Sequence, residues 1–329
     1  MLRIKLTTAS PEWPLLRQTP LARGIWGECQ FILNQEVDEC DFWVVCEGLL
    51  EPEKTVCPPE NLILITAEPP PVKRYSQRFV DQFSTVVTCH RKLKHSHVIH
   101  SQQALPWMVG GNYSRESKRW ESFSKDYDEL SNLGEYKKER LLAVILARKT
   151  FTSGHRKRLA FVERLKSHFG DQLDIYGVGI REIADKWDGI APYKYYLAIE
   201  NCSYEDYWTE KLSDAYLAGA YPFYYGCPNI EDYFPIDAFT RIDPDNMDSS
   251  IAIIEKQIEH GRYEQSINAI QSCRDLVLNK YNLFPMVAEL CRKQYMEQGI
   301  KQKSTVNLQP EPNSYLRRKV NKIRNILNL

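Results

Sequence analysis

The stretch YKYYLAIENCSYEDYWTEKLSDAYLAGAYPFYYGCPNIEDYFP, residues 193–235, holds the residue types best placed to do chemistry in this chain. A β-rich run ends at Glu200 and Asn201, a short polar loop follows, and TEKLSDAYLAGA (209–220) reads as a helix with Thr209 at its N-cap. The first turn of a helix offers backbone N–H groups without intrahelical partners, and the positive end of its dipole. Together they make a seat for phosphate. Lys211 in that turn opposes the dipole, and a bound diphosphate would resolve the conflict by satisfying both. Glu210 beside it can accept hydrogen bonds from sugar or ribose hydroxyls, and Tyr207 can lay an aromatic face on a nucleoside or a sugar. The plainer account of Glu210 is pairing with the helix dipole alone, since helices that open on Thr-Glu-Lys are common.

Positioning such groups takes a scaffold that ends strands and begins helices along one edge. In the first half, LRIKL (2–6), FWVV (42–45), LILIT (62–66) and TVVT (85–88) are short β-rich runs bounded by polar or proline-rich segments. The three prolines of AEPPPV forbid helix or central strand, so a strand ends near Thr66 and throws off a stiff loop. Residues 113–140 are highly charged and read as a surface excursion or linker. A second series follows, with strands at LLAVILA (141–147), LDIYG (173–177), YYLAI (195–199) and YPFYY (221–225). A helix over RLAFVERLKSHF (158–169) has its start capped by Thr152 or Ser153. Residues 248–298 are mostly helical. Strand–helix–strand order in both halves implies an α/β protein of two parallel-sheet domains facing each other. The boundaries expected are 1–135, 136–300 and a tail of 301–329.

Length and composition agree with two domains: 329 residues, 43% hydrophobic and 26% charged, suffice for two cores. Lys plus Arg and Asp plus Glu both number 43, so the formal net charge is zero and there is no general pull towards nucleic acid. The opening MLRIKLTTASPEWP has neither the apolar run nor the cleavage pattern of a secretory signal, and no uncharged run nears the ~18 residues of a spanning helix. Nine cysteines, an odd number without a CxxC pair, read as thiols of a reducing cytosol. Past QPEPN (309–313), the tail SYLRRKVNKIRNILNL (314–329) spaces Leu316, Val320, Ile323 and Leu327 on one helical face, with only basic charged residues. This is the pattern of a peripheral membrane anchor on the inner face of the cytoplasmic membrane, and the alternative is a helix packed across the two domains.

The whole 193–235 string closely resembles the donor-binding signature of the bacterial-type family 10 glycosyltransferases, the α-1,3/4-fucosyltransferases. It carries Tyr193-Lys194-Tyr195-Tyr196, Ala198, Glu200-Asn201, Tyr207-Trp208-Thr209-Glu210-Lys211, Tyr224-Tyr225-Gly226 and Phe234-Pro235 in the family's order. ITAEPPP (65–71) is similar to an element that follows a strand of the family's N-terminal domain, and GHRKRLAFVERL (154–165) to the segment that carries a donor-binding arginine. The resemblance implies a GT-B fold of two Rossmann-like domains across a cleft, and inverting transfer of fucose from GDP-fucose to a hydroxyl of a cell-surface glycan such as lipopolysaccharide. No metal cofactor is required, though a divalent cation could stimulate. Glu68 becomes the general base; Arg158, with Arg156 as the nearest rival, and Lys211 carry the leaving diphosphate; Asn201, Tyr207 and Glu210 hold sugar and ribose. Displacement at an anomeric carbon does require a carboxylate to take the incoming hydroxyl's proton. The N-terminal third outside 65–71 shows little of the family pattern, so the nucleoside diphosphate is better specified than the sugar, the acceptor or the oligomeric state. The rival readings are another nucleotide-sugar donor on the same fold, or a non-catalytic glycan- or nucleotide-binding protein.

Other motifs carry less. Asp243-Pro244-Asp245 looks like a DxD metal motif, but an acidic turn is expected after AFTRI anyway. His90, His95, His97 and His100 lack the Cys or Asp partners that zinc would want. No GxGxxG, P-loop or nucleophile elbow is present.

Overall fold

In the computed structural model, which describes residues 1–114, 116–117, 119–134, 136–146, 153–299 and 301–311, the chain folds as two compact units. The first takes Met1–Ala104 and the described residues from Leu283 to Glu311, and the second takes Leu105–Asn282.

The first unit opens with β1 (Leu2–Thr8), β2 (Ile25–Trp26), β3 (Cys29–Leu33), β4 (Phe42–Cys46), β5 (Glu53–Cys57) and β6 (Leu62–Ile65). The short α1 (Gln77–Val80), then β7 (Thr85–Thr88) and β8 (Val98–His100), complete this stretch. Seven of these strands form one sheet in the order β2-β3-β1-β4-β6-β7-β8, with every neighbouring pair parallel except β2 and β3. Both faces are covered, as a parallel sheet requires. Along β4, Phe42 and Val44 enter one core while Trp43 and Val45 enter the other, which follows from the two-residue period of a strand.

In the second unit β9 (Gly111–Ser114) and β10 (Arg119–Phe123) form an antiparallel hairpin, followed by α2 (Tyr127–Ser131). Then come β11 (Arg140–Ile145), α3 (Ser153–Phe169), β12 (Leu173–Tyr176), β13 (Tyr193–Ile199), α4 (Glu210–Leu217), β14 (Tyr221–Tyr225) and β15 (Thr240–Arg241). Helices α5 (Met247–Glu259), α6 (Arg262–Gln265) and α7 (Ile267–Asn279) close the unit. The sheet is parallel throughout, in the order β12-β11-β13-β14-β15. The chain leaves β11 for one side and returns to the other, so the order reverses between β11 and β13. That reversal opens a crevice at their C-terminal ends. The chain then re-enters the first unit as α8 (Leu283–Gln298), which lays Phe284, Val287 and Cys291 on that unit's core, and as β16 (Ser304–Leu308), antiparallel to β5.

Eight strands and both helices expected from the sequence stand where their apolar runs placed them, within a few residues at the ends. The α/β class with two parallel-sheet units, the building blocks of a GT-B protein, is present. The unit borders differ from the 135/136 and 300/301 expected. Trp107, Val109 and Leu130 are buried in the second core, so the charged 113–140 excursion folds with that unit. Helix α8 and β16 belong to the first, because their apolar residues are buried there. The basic tail 314–329 lies outside the described residues. Among the described residues no helix is long and apolar enough to cross a membrane.

Gly177, at the end of β12, has φ +131°, and a Cβ there would lie 1.8 Å from the Leu146 carbonyl oxygen. Gly177→Ala should therefore cost about 3 kcal/mol or more of unfolding free energy. Gly170→Ala, at φ +52° with nothing within 4 Å of the added carbon, should cost only about 1 kcal/mol. Urea unfolding midpoints of the two variants would test the difference.

Candidate active site

The crevice edge of the second sheet is organised by the residue that ends β13. Glu200 keeps the ladder going with a backbone hydrogen bond from its N–H to the Tyr225 carbonyl at 2.8 Å, and its side chain turns inward to near-complete burial. A buried carboxylate is costly unless its oxygens are satisfied. Here the Thr209 N–H (2.8 Å), the Thr209 hydroxyl (2.8 Å) and the Lys211 ammonium (3.0 Å) all converge on it. Thr209 is the N-cap of α4, its hydroxyl accepting the Lys211 N–H at 3.3 Å. The preceding loop is clamped as well. Asp206 has φ +57° and exchanges hydrogen bonds with Asn229, while the Tyr233 hydroxyl donates to it at 2.6 Å. Trp208 packs edge-on against Tyr233, Phe234 and Tyr281, which anchors the start of α4 in the core.

From Glu200 the charges alternate. Lys211 reaches Glu210 Oε1 at 3.5 Å, Lys186 reaches the same oxygen at 3.4 Å, and Lys186 also meets Asp214 Oδ2 at 3.1 Å. Burial alone would raise the Glu210 pKa, but Lys211 and Lys186 outweigh it and hold the carboxyl well below the usual range. Burial would depress Lys211 and Lys186, yet Glu200 and Glu210 raise the former, and Asp214 and Glu210 the latter. Asp214 is raised by burial against the pull of Lys186, and takes the Met108 and Val109 N–H groups at 2.8 and 3.2 Å.

Arg158, on α3, is buried behind this row. Its Nη1 donates to the Ile199 carbonyl at 3.4 Å, while its Nε is buried without a partner among the described residues. Burial lowers the guanidinium's pKa, with Glu200 and Tyr196 opposing. The buried Asn201 Oδ1 also lacks a partner there. Helix α3 runs so close to this loop that a Cβ on Gly154 would lie 1.8 Å from the Asn201 carbonyl oxygen. Two orphaned polar atoms in a native site call for an explanation, and a polar ligand supplies one. Arg156 is exposed, so of the two arginines Arg158 is the one turned into the site. Tyr207 is buried at the loop's end.

The structure thus brings together Arg158, Asn201, Tyr207, Glu210 and Lys211. It also answers the apparent conflict at Lys211 without a ligand, since Glu200 neutralises it. Sequence reasoning assigned no role to Glu200, Lys186 or Asp214. Glu200 stood in the matched string, whereas nothing in KWDG or LSDA distinguishes Lys186 or Asp214. Asp243 accepts the Asp245 N–H at 3.0 Å within its turn, and Asp245 pairs with Lys157 at 2.7 Å. His97 meets the Thr85 hydroxyl and His95 the Phe83 carbonyl, at 3.1 and 2.9 Å.

Glu68 belongs to the first unit, just past β6, and is half-buried. Its backbone is held on both sides. The Ala67 N–H donates to the Tyr75 hydroxyl at 3.2 Å, and His90 Nε2 donates to the Glu68 carbonyl at 2.8 Å. The prolines close a tight turn in which the Val72 and Lys73 N–H groups both reach the Pro69 carbonyl. Buried Lys73 donates to the Glu47 carbonyl at 2.7 Å and lies 4.5 Å over the Tyr75 ring, with its pKa lowered by burial.

Cations, a carboxylate, one unpartnered donor and one unpartnered acceptor thus gather at the switch point of a parallel sheet, where open α/β sheets bind ligands. Residues 136–259 match the family model described as glycosyltransferase family 10 (fucosyltransferase) C-term. The 4-galactosyl-N-acetylglucosaminide 3-alpha-L-fucosyltransferase 9 proteins of Mus musculus and Homo sapiens are each 39% identical over 72 residues, 21% of this chain and 20% of theirs. The GDP-fucose protein O-fucosyltransferase 3 of Xenopus laevis is 50% identical over 46 residues, 14% of this chain and 10% of its own. The chain therefore spans about a fifth or less of the length of these curated relatives. Among solved structures, an alpha1,3-fucosyltransferase with GDP-fucose is 15% identical with a TM-score of 0.46, covering 86% of this chain and 92% of that one.

The depressed Glu210 pKa has a definite sign for stability. A carboxyl held below its unfolded value of about 4.3 stabilises the fold above that pH, and the contribution is lost as pH falls through the folded value. Glu210→Gln should thus be less stable than the wild type by a constant margin above pH ~5, with the gap shrinking below ~4. Urea unfolding across that range would measure it.

Proposed function

We propose that this protein is an inverting fucosyltransferase that moves fucose from GDP-fucose to a hydroxyl of a glycan acceptor. The observation that carries the reading is the cluster at the switch point of the family 10 domain: buried Arg158 with an unpartnered Nε, Lys211 in the first turn of α4, and the ionised Glu210 between two lysines.

In this scheme the acceptor oxygen forms a bond to the anomeric carbon as the bond from that carbon to the GDP oxygen breaks. The acceptor's proton passes to Glu68, whose backbone is pinned by Tyr75 and His90. The negative charge gathering on the departing diphosphate is neutralised by Arg158 and Lys211, worth most in the transition state where that charge is largest. Asn201, Tyr207 and Glu210 hold the sugar and ribose. No metal is needed for this neutralisation, and a divalent cation would at most stimulate it. All nine cysteines stand as thiols, which supports a reducing cytosolic setting. The basic segment 314–329 would bring the enzyme to a lipid-linked acceptor such as lipopolysaccharide at the inner membrane face.

Calorimetric titration with GDP, GDP-fucose, GDP-mannose and UDP-galactose tests the donor site. GDP and GDP-fucose should bind, and Lys211→Ala should weaken both, with its melting temperature checked because it strands the buried Glu200. Glu68→Gln should retain GDP affinity and lose about 100-fold or more in turnover, the usual size of general-base catalysis. Equal or better use of GDP-mannose would move the donor assignment within the same fold. Failure to bind GDP at millimolar concentration would sink the donor site altogether.

A further inference from the structure

Lys186 lies in the helical turn Lys186–Gly189 that precedes β13. Its ammonium is fixed from two sides, by Asp214 Oδ2 at 3.1 Å and Glu210 Oε1 at 3.4 Å. Asp214 is fully buried and is itself held by the Met108 and Val109 N–H groups. The neighbouring Asp185 fixes the start of the turn, taking the Trp187 N–H at 2.8 Å, the Gly110 N–H at 2.9 Å and the Ser124 hydroxyl at 2.9 Å. Lys186 is therefore placed by the fold, independently of Glu210.

Two cations meet Glu210, and for both the nearest carboxylate oxygen is Oε1. We propose that Lys186 is a positioning residue that turns the Glu210 carboxylate to present one oxygen to a hydroxyl of a bound nucleoside diphosphate. The proposal rests on the donor-site reading above and adds to it the residue that aims the carboxylate. Lysine suits the task because its point charge satisfies two carboxylates without spanning both oxygens of either, as a bidentate guanidinium would.

The charged and titratable groups around Glu210 are Lys211 and Asp214 from α4, Lys186 from the turn, Tyr196 from β13 and Arg158 from α3, with Glu200 bound to Lys211. Removing Lys186 leaves Asp214 facing Glu210 with one fewer cation between them. Both the direction of the carboxylate and its ionisation then suffer, so a lost positioning role is visible in the pH profile of binding.

The test is calorimetric titration of the full chain with GDP from pH 5.5 to 8, comparing wild type, Lys186→Met, Lys186→Gln, Glu210→Gln and the Glu210→Gln/Lys186→Met double variant. GDP affinity of the wild type should change little over that range. Lys186→Met should bind about tenfold more weakly at neutral pH, the size of one hydrogen bond to a charged group, and weaken further as pH falls. In the Glu210→Gln background the same change should add little, because the group it aims is gone. Lys186→Gln, which keeps a donor to Asp214, supplies the same comparison if the methionine variant does not fold. Wild-type affinity and pH profile in the Lys186 variants, or fully additive losses in the double variant, would overturn the proposal while leaving the donor site standing. No GDP binding by the wild type would instead defeat the donor reading, and this inference with it.

Discussion

The buried carboxylate of Glu200 is the constraint from which the second unit's site is built. A charge this deep would be strongly destabilising if left alone. It is held by the N–H and hydroxyl of one residue, Thr209, and by the ammonium of Lys211 two positions on. Those three contacts fix the end of β13, the N-cap of α4 and the place of its first cation at once. They also explain how a lysine survives at the positive end of a helix, where its own charge is unfavourable. The aromatic packing of Trp208 and the clamp on Asp206 then hold the loop between strand and helix.

From that anchor the charges alternate through Lys211, Glu210, Lys186 and Asp214. Alternation lets several ionised groups share a confined volume, because each carries an opposite charge as its neighbour. The row ends on backbone N–H groups of residues 108 and 109, which ties the segment before the β9–β10 hairpin to α4. Arg158 and Asn201 stand apart from this balance, each with a buried polar atom that the described residues leave unpartnered. Buried polar atoms left without a protein partner at the end of a strand are where a polar ligand would find one.

The first unit treats its loop carboxylate differently. Glu68 is fixed through its backbone, by donors and acceptors from Tyr75 and His90, and by a proline turn closed on Pro69. Pinning the main chain sets where the side chain begins. That is the arrangement the proton-accepting role proposed for Glu68 would use.

Much of this was legible in the residue order. Apolar runs of four to seven residues gave the parallel strands their places, because a strand buried on both faces must be apolar throughout. The Thr-Glu-Lys helix start was readable because caps are local chemistry, and the family resemblance rested on a contiguous string. Unit borders were not readable: the charged 113–140 segment hides the few apolar residues that commit it to the second core, and α8 joins the first core from nearly two hundred positions away in the chain. The same holds for Lys186 and Asp214. Their roles arise from neighbours 24 and 106 residues distant, Glu210 and Met108. Sequence by itself determined which elements form and which short stretch carries the family match, since both depend on neighbours along the chain. Only the tertiary structure decided which charges meet, since an ion pair depends on distance in space.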